Sequence, residues 1–166
     1  MTSQDTLTKL NERFGPVKSE EFRDNLRAIL PAEKLFEAMK ILKNECGYNF
    51  LVDITAVDYL GYPQAGTDRF AVVYCLLNIA DNCRFYVKVM VNDPEPTVPS
   101  VISLWQGADW AEREVYDMYG IRFEGHPDLR RLLMPDEFTS YPLRKDYPLR
   151  GRGERHNFPI LTRAEG

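Results

Sequence analysis

The sequence is poor in the residues on which metal and covalent chemistry draw. It holds two histidines, His126 and His156, and three cysteines, Cys46, Cys75 and Cys83. A zinc site takes four ligands at recognisable spacing, and these residues are scattered along the chain. No cysteine pair has Cys-x-x-Cys spacing, so neither a disulfide framework nor an iron–sulfur cluster is expected. No stretch nears the roughly 20 consecutive apolar residues of a membrane-spanning helix. The longest apolar run, residues 70–77, is strand-sized. The start, Met1-Thr2-Ser3-Gln4-Asp5, lacks the basic and apolar regions of a signal peptide, so the chain is expected to stay in the cytoplasm. Neither GxGxxG nor GxxxxGK[ST] occurs, which argues against dinucleotide or flavin binding by this chain. His126-Pro127-Asp128 suggests a His–carboxylate pair, but no Ser or Cys nucleophile sits in an elbow motif. The pair reads as structural, and no catalytic, cofactor-binding or metal-ligating residue is assigned.

What is present fits one globular domain. The 166 residues are 44% hydrophobic and 28% charged, with a net charge of -4. The charge is unevenly spread. Residues 122–166 hold nine Lys and Arg against seven Asp and Glu, so that end is mildly basic and the remainder acidic. The imbalance is too small to indicate nucleic acid.

Periodicity outlines the elements. Leu7, Leu10 and Phe14 predict a helix over residues 3–14, capped by Ser3 or Asp5 and ended by Gly15-Pro16. Residues 25–30 suggest a short strand. Leu35, Met39, Leu42 and Cys46 form the apolar stripe of a helix starting near Pro31, with Gly47 as its C-cap and Glu37–Lys40 as an ion pair. Three strands follow. Phe50, Val52 and Ile54 alternate with their neighbours, residues 70–79 are apolar on both faces as in a central strand, and Phe85 to Val91 alternate again. Residues 79–84 read as a hairpin connection and 60–68 as a loop. After Pro94, Pro96 and Pro99, a short helix is expected over 100–105. A second is expected over about 107–119, capped by Asp109 with Glu112 three residues on, and stopped by Gly120. From Ile121 onward regular periodicity fades and prolines recur. Such a segment has apolar anchors but no core of its own, so it is expected to lie along its own domain or a partner. The expected division is therefore a domain over 1–120 and an extended segment over 121–166.

The informative side chains fall in three groups. On the last helix are Glu112, Arg113, Glu114 and Asp117, where Arg113 and Asp117 are spaced to pair across one turn, beside Trp110, Tyr116 and Tyr119. Next come His126, Asp128, Arg130 and Arg131. Then come Tyr141, Arg144, Lys145 and Asp146. Mixed charge with aromatics suits specific docking on a protein partner better than attraction to a polyanion. These twelve residues, from Glu112 to Asp146, are the expected partner interface.

Glu112-Arg113-Glu114-Val115-Tyr116-Asp117-Met118-Tyr119, then His126, then Arg130-Arg131-Leu132-Leu133, resembles the signature of the C-subunit, or thirty-kilodalton, family of respiratory complex I. The resemblance extends over most of residues 23–148, taking in Pro31-Ala32-Glu33-Lys34-Leu35, the stretch 50–59, Pro96-Thr97-Val98-Pro99-Ser100 and Tyr141-Pro142-Leu143-Arg144-Lys145-Asp146-Tyr147-Pro148. It implies an α+β fold: a small, mostly antiparallel sheet packed with helices, followed by an extended proline-rich C-terminal segment draped over a neighbour. It implies a cofactor-free structural subunit of the peripheral arm of a proton-translocating NADH–quinone oxidoreductase. The FMN and iron–sulfur clusters would lie in partner subunits. The implied partners are the forty-nine-kilodalton (D) subunit and neighbouring iron–sulfur subunits, at the cytoplasmic face of the bacterial inner membrane. Related chains serve membrane-bound hydrogenases and coenzyme F420-linked dehydrogenases, which is the alternative reading.

Overall fold

The computed structural model describes residues 2–63 and 68–154. Helix α1 runs Ser3–Phe14. Its N-cap is Thr2, not Ser3 or Asp5. Asp5 N–H donates to Thr2 Oγ1 at 3.2 Å and Thr2 N–H donates to Asp5 Oδ2 at 2.9 Å, a reciprocal capping box. Strands β1 (Lys18–Phe22) and β2 (Asn25–Leu30) form a hairpin whose turn residues, Arg23 and Asp24, both take positive φ. Residue spacing gives no sign of β1, because it is polar on both faces.

Helix α2 runs Ala32–Asn44, with Pro31 just outside it as N-cap. Leu35, Met39 and Leu42 are buried as their spacing predicts. The helix stops three residues short of Gly47. Gly47 takes φ +76°, and a Cβ there would meet Asn78 Nδ2 at 2.9 Å, so the exit from the helix needs glycine. Glu37 pairs with Arg13 of α1 at 3.0 Å instead of with Lys40.

Strands β3 (Phe50–Asp58), β4 (Phe70–Asn78) and β5 (Cys83–Val91) form an antiparallel meander. Strand β5 then pairs parallel with β2, giving one five-stranded sheet in the order β1-β2-β5-β4-β3. One face carries Ala28, Tyr74, Val72, Val87 and Val89 and packs against the buried sides of the helices. Each Leu, Val or Phe fully buried there stabilises the fold by about 2 kcal/mol. The architecture is the expected α+β sheet with helices.

Strand β6 (Thr97–Pro99) follows, then helix α3 (Ala108–Tyr119) and strand β7 (Arg122–Glu124). Strands β6 and β7 pair in parallel as a separate two-stranded sheet. Residues 100–105 are a turn, not a helix: Leu104 and Trp105 N–H both return to Val101 O. The Ser100 hydroxyl and Val101 N–H that would open a helix are instead given to Glu112. The expected Asp109–Glu112 capping box is therefore absent, and Gly107 stands at the N-cap without a side-chain bond. Gly120 ends α3 in the left-handed conformation, as predicted.

Beyond Gly120 the chain returns over its own domain. Ile121, Phe123 and Phe138 are buried. Leu143 N–H donates to Met118 O at 3.1 Å. The expected loop over 60–68 is irregular where described, with 64–67 outside the described residues. Residues 155–166 of the expected extended segment likewise lie outside them.

Candidate functional site

Two polar clusters tie the carboxyl-terminal segment to the domain. The first centres on Asp117, whose side chain is fully shielded. Its Oδ2 accepts the N–H groups of Leu132, Leu133 and Met134 at 3.1, 2.7 and 2.8 Å. Its Oδ1 accepts from Arg131 Nη1 at 2.7 Å. Burial alone raises this carboxyl, but the three amides and the Arg131 guanidinium outweigh it, and the net shift is downward. Arg131 also donates to Ser140 O at 3.1 Å and lies over the rings of Phe138 and Tyr141.

Arg113 does not pair with Asp117 across the helix turn. Its guanidinium donates to the carbonyls of Arg130 and Arg131, both at 3.2 Å, and stacks 5.2 Å from the Trp110 ring centroid. One turn thus gives carbonyls 130–131 to a cation and amides 132–134 to an anion. The i, i+4 spacing is a sound local rule, but each side chain finds partners in a chain that returns about fifteen residues later.

Glu112 is wholly buried. It accepts from Ser100 Oγ at 2.6 Å and from Val101 N–H at 2.7 Å. Burial pushes its carboxyl up, and the two donors only partly offset that. The Tyr74 hydroxyl and the Trp105 indole N–H are buried and have no hydrogen-bond partner among the described residues. The His126 ring is shielded although its backbone is open. Its Nδ1 accepts Asp128 N–H at 3.1 Å, so a neutral ring carries its proton on Nε2, 3.2 Å from Asp109 Oδ1. This ring pins the turn after β7 to the first turn of α3.

The second cluster centres on Asp58, the last residue of β3. Asp58 accepts from Arg69 Nη2 at 3.0 Å, Arg69 Nε at 3.2 Å, and the N–H groups of Leu60 and Lys145 at 2.9 and 2.8 Å. Burial again raises the carboxyl, and these donors again bring it below its ordinary value. Arg69 also meets Asp93 at 2.6 Å and Asp146 at 3.0 Å. Arg144 donates from Nε to Tyr119 O at 2.6 Å, pairs with Asp93 at 3.3 Å, and lies between the rings of Phe70 and Tyr141. Of this cluster the sequence motifs mark Arg144, Lys145, Asp146 and Tyr141. They do not mark Asp58, Arg69 or Asp93, although a charge at the inward parity of β3, after Ile54 and Ala56, is a legible signal.

The expected interface residues therefore divide. Glu112, Arg113, Asp117, Arg131 and Arg144 direct their polar groups inside this chain. His126 and Tyr141 are half-buried. Glu114, Asp128, Arg130, Lys145 and Asp146 are exposed, with Asp128 and Arg130 paired at 2.9 Å. Above the Asp117 cluster, Trp110 and Leu133 stand 60% and 62% exposed. An exposed tryptophan stacked on an arginine is the composition of binding hot spots, and the exposed leucine adds apolar area. Among the described residues, no group of three or more His, Cys, Asp or Glu is gathered to hold a metal ion, and no helix is long and apolar enough to cross a membrane.

Comparison with known proteins gives a consistent result. The family model described as "Respiratory-chain NADH dehydrogenase, 30 Kd subunit" matches residues 28–153. The C-subunit of the NADH-quinone oxidoreductase of Citrifermentans bemidjiense is 44% identical over 147 residues, covering 87% of this chain and 89% of that one. The NADH-quinone oxidoreductase subunit 5 of Thermus thermophilus is 49% identical over 130 residues, 75% of this chain and 62% of that one. Among solved structures, the trypsin-resistant fragment (1-134) of Nqo5 is 41% identical with a TM-score of 0.68, covering 77% of this chain and all of that one. A chain of the membrane-bound sulfane sulfur reductase, an archaeal respiratory membrane complex, is 25% identical with a TM-score of 0.75, covering 96% of this chain and 93% of that one.

Proposed function

The chain belongs to the thirty-kilodalton subunit family of respiratory-chain NADH dehydrogenases, and from that membership we propose that it is a structural subunit of an NADH–quinone oxidoreductase. In this reading it carries no cofactor, and FMN and iron–sulfur clusters are held by its partners. It sits in the peripheral arm of a proton-translocating complex, at the cytoplasmic face of the bacterial inner membrane. It docks on the forty-nine-kilodalton (D) subunit and the neighbouring iron–sulfur subunits, and its contribution to electron transfer is to keep those carriers in register. Residues 1–120 act as the positioning domain and 121–166 as the docking segment.

The observation that carries this reading is the Trp110–Leu133 surface. Two large apolar side chains stand in solvent, Trp110 on the first turn of α3 and Leu133 on the turn that Asp117 and Arg113 hold. A monomer gains nothing by exposing them, whereas a partner that covers them gains their burial. The exposed Glu114, Asp128 and Arg130 are near in sequence and set the contact's orientation, while Arg113, Asp117 and Arg131 hold the turn that presents Leu133. Native mass spectrometry of the membrane-extracted complex, purified through a tag on this chain, is the test. The expected result is one copy of the chain with the D-subunit, and no NADH oxidation by the chain alone. Turnover by the isolated chain that is lost in His126→Ala would overturn the proposal. A second reading, a subunit of a related membrane-bound complex such as a hydrogenase or an F420-linked dehydrogenase, is favoured by the likeness to the sulfane sulfur reductase chain. The identity of the co-purifying subunits decides between them.

A further inference from the structure

Strand β4 alternates between two environments. Phe70, Val72, Tyr74 and Leu76 face the helices, while Val73, Cys75 and Leu77 face the other way. Pairing carries that outward row across the sheet. Val73 lies beside Lys88 and Thr55, Cys75 beside Tyr86 and Asp53, and Ala71 beside Met90 and Val57, while Lys88 and Tyr86 continue to Ile29 and Arg27 of β2. The described parts of α1, α2 and α3 all bury their apolar residues against the opposite face. On this outer face Val73, Cys75, Tyr86, Met90, Arg27 and Ile29 are half-buried, Asp53, Thr55 and Val57 are exposed, and Ala71 and Lys88 are buried, with no described helix above them. A strand apolar on both faces is the pattern of a sheet enclosed between two layers, and here one layer is missing among the described residues.

The charges on this face have a sign. Lys18, Arg27, Arg84 and Lys88 stand against Glu20 and Asp53, an excess of two positive charges on a chain whose total is -4. Lys88 is 9% exposed in the middle of the apolar rows, and the Glu20 carboxylate is 3.7 Å away. Its ammonium also rests 5.1 Å from the Tyr59 ring centroid. Three strands of nine residues and two of five and six, spaced about 4.8 Å apart and rising about 3.3 Å per residue, make a face of about 600 Å². That is most of the roughly 800 Å² per partner of a standard specific interface. A second copy of this chain would set Arg27, Arg84 and Lys18 against their own kind, which the excess positive charge disfavours.

On the reading that the chain is a subunit of a larger complex, we propose that this outer sheet face is a second docking surface, occupied by an amphipathic helix of a partner subunit whose apolar stripe is flanked by Asp and Glu. The helix supplies the missing layer. Its stripe covers Val73, Cys75, Tyr86 and Met90, and its carboxylates meet Arg27 and Arg84. This surface lies on the opposite side of the sheet from the helix layer to which α3 belongs, so one partner holding both would have to wrap the domain.

Cys75 is a built-in probe. In a Cys83→Ser background, with Cys46 buried, it is the one accessible thiol. Its labelling by a maleimide is expected to be at least tenfold slower in the membrane-extracted complex than in the free chain. Recovery of the Arg27→Glu, Arg84→Glu double variant in the complex is expected to fall at least tenfold, with the free variant unfolding at the parent's urea concentration. Equal labelling in a complex that contains the chain would overturn this proposal and leave the subunit reading standing, whereas a chain that never enters the complex would end the subunit reading itself. Undiminished recovery of the double variant, a Cys75–Cys75 cross-linked dimer, or faster labelling of the free chain once residues 155–166 are removed would each overturn it as well. The last two results would name a second copy or this chain's own end as the cover.

Discussion

Asp117 is the residue on which most of the turn at 130–134 depends. Three consecutive amides and a guanidinium converge on its one carboxylate. Asp117→Ala is expected to destabilise the isolated chain by about 3 kcal/mol, read from urea unfolding, because removing one side of a buried pair leaves the other side desolvated and unpaired. Charge reversal at Asp117 or Arg144 therefore acts on this chain's own fold before it reaches any partner. The pH dependence separates the buried carboxylates. Asp58 and Asp117 have folded-state pKa values below their unfolded ones. Their stabilisation is complete above about pH 4, the ordinary Asp value, and is lost as pH falls through the folded values. Glu112 has the opposite sign. Its carboxyl is raised, so its contribution weakens as pH climbs from about 4.3, the ordinary Glu value, through the folded value. Glu112→Gln is expected to flatten that decline in the urea midpoint while leaving the acid arm in place. An unchanged slope between about pH 4 and 7 would count against it.

At the scale of elements, the exit of α3 decides where the following segment lies. Gly120 takes φ +74°, and a Cβ there would fall 2.5 Å from Tyr141 Cε2. Gly120→Ala thus combines left-handed backbone strain, worth about 1 kcal/mol, with a collision against the ring that Arg131 and Arg144 hold. The expected outcome is a lower urea midpoint and faster trypsin cleavage at Arg144 and Lys145. The same exit shows what is legible in the sequence. The glycine stop, the apolar stripes of α1 and α2 and strands β4 and β5 are local patterns, and the fold keeps them; in β3 a register shift between Leu51 and Asp53 breaks the expected alternation and leaves Phe50 and Val52 exposed while Ile54 is buried. Strand β1 is not legible because Lys18, Ser19, Glu20 and Glu21 mark neither face as inward. Strands β6 and β7 are not legible because three residues are too few for a period. Glu112 reads as a capping partner of Asp109 because that rule looks three residues away, whereas its donors lie at Ser100 and Val101 on a separate turn. The interface motif reads as a set of contacts for a partner, yet much of it is internal. A sequence marks which residues carry charge, but not which of them water still reaches.

For the molecule as a whole, exposed and buried parts of one motif divide the labour. Trp110→Ala and Leu133→Ala are each expected to leave the free chain's unfolding unchanged and to weaken its association with the complex by about 30-fold, the loss of a hot spot worth roughly 2 kcal/mol. Reconstitution of chain-depleted complex with titrated variant is the measurement, and undiminished affinity in both would remove the Trp110–Leu133 surface from the interface. The amides converging on Asp117 have a further consequence, for timing. Because Leu133 is held in its outward pose before any encounter, capture needs no folding step, and arrival runs at the pace of rigid bodies meeting, about 10⁵–10⁷ M⁻¹s⁻¹. Loosening that turn with Asp117→Asn should show in stopped-flow mixing as slower capture at nearly constant release, the signature of a latch that must first find its shape.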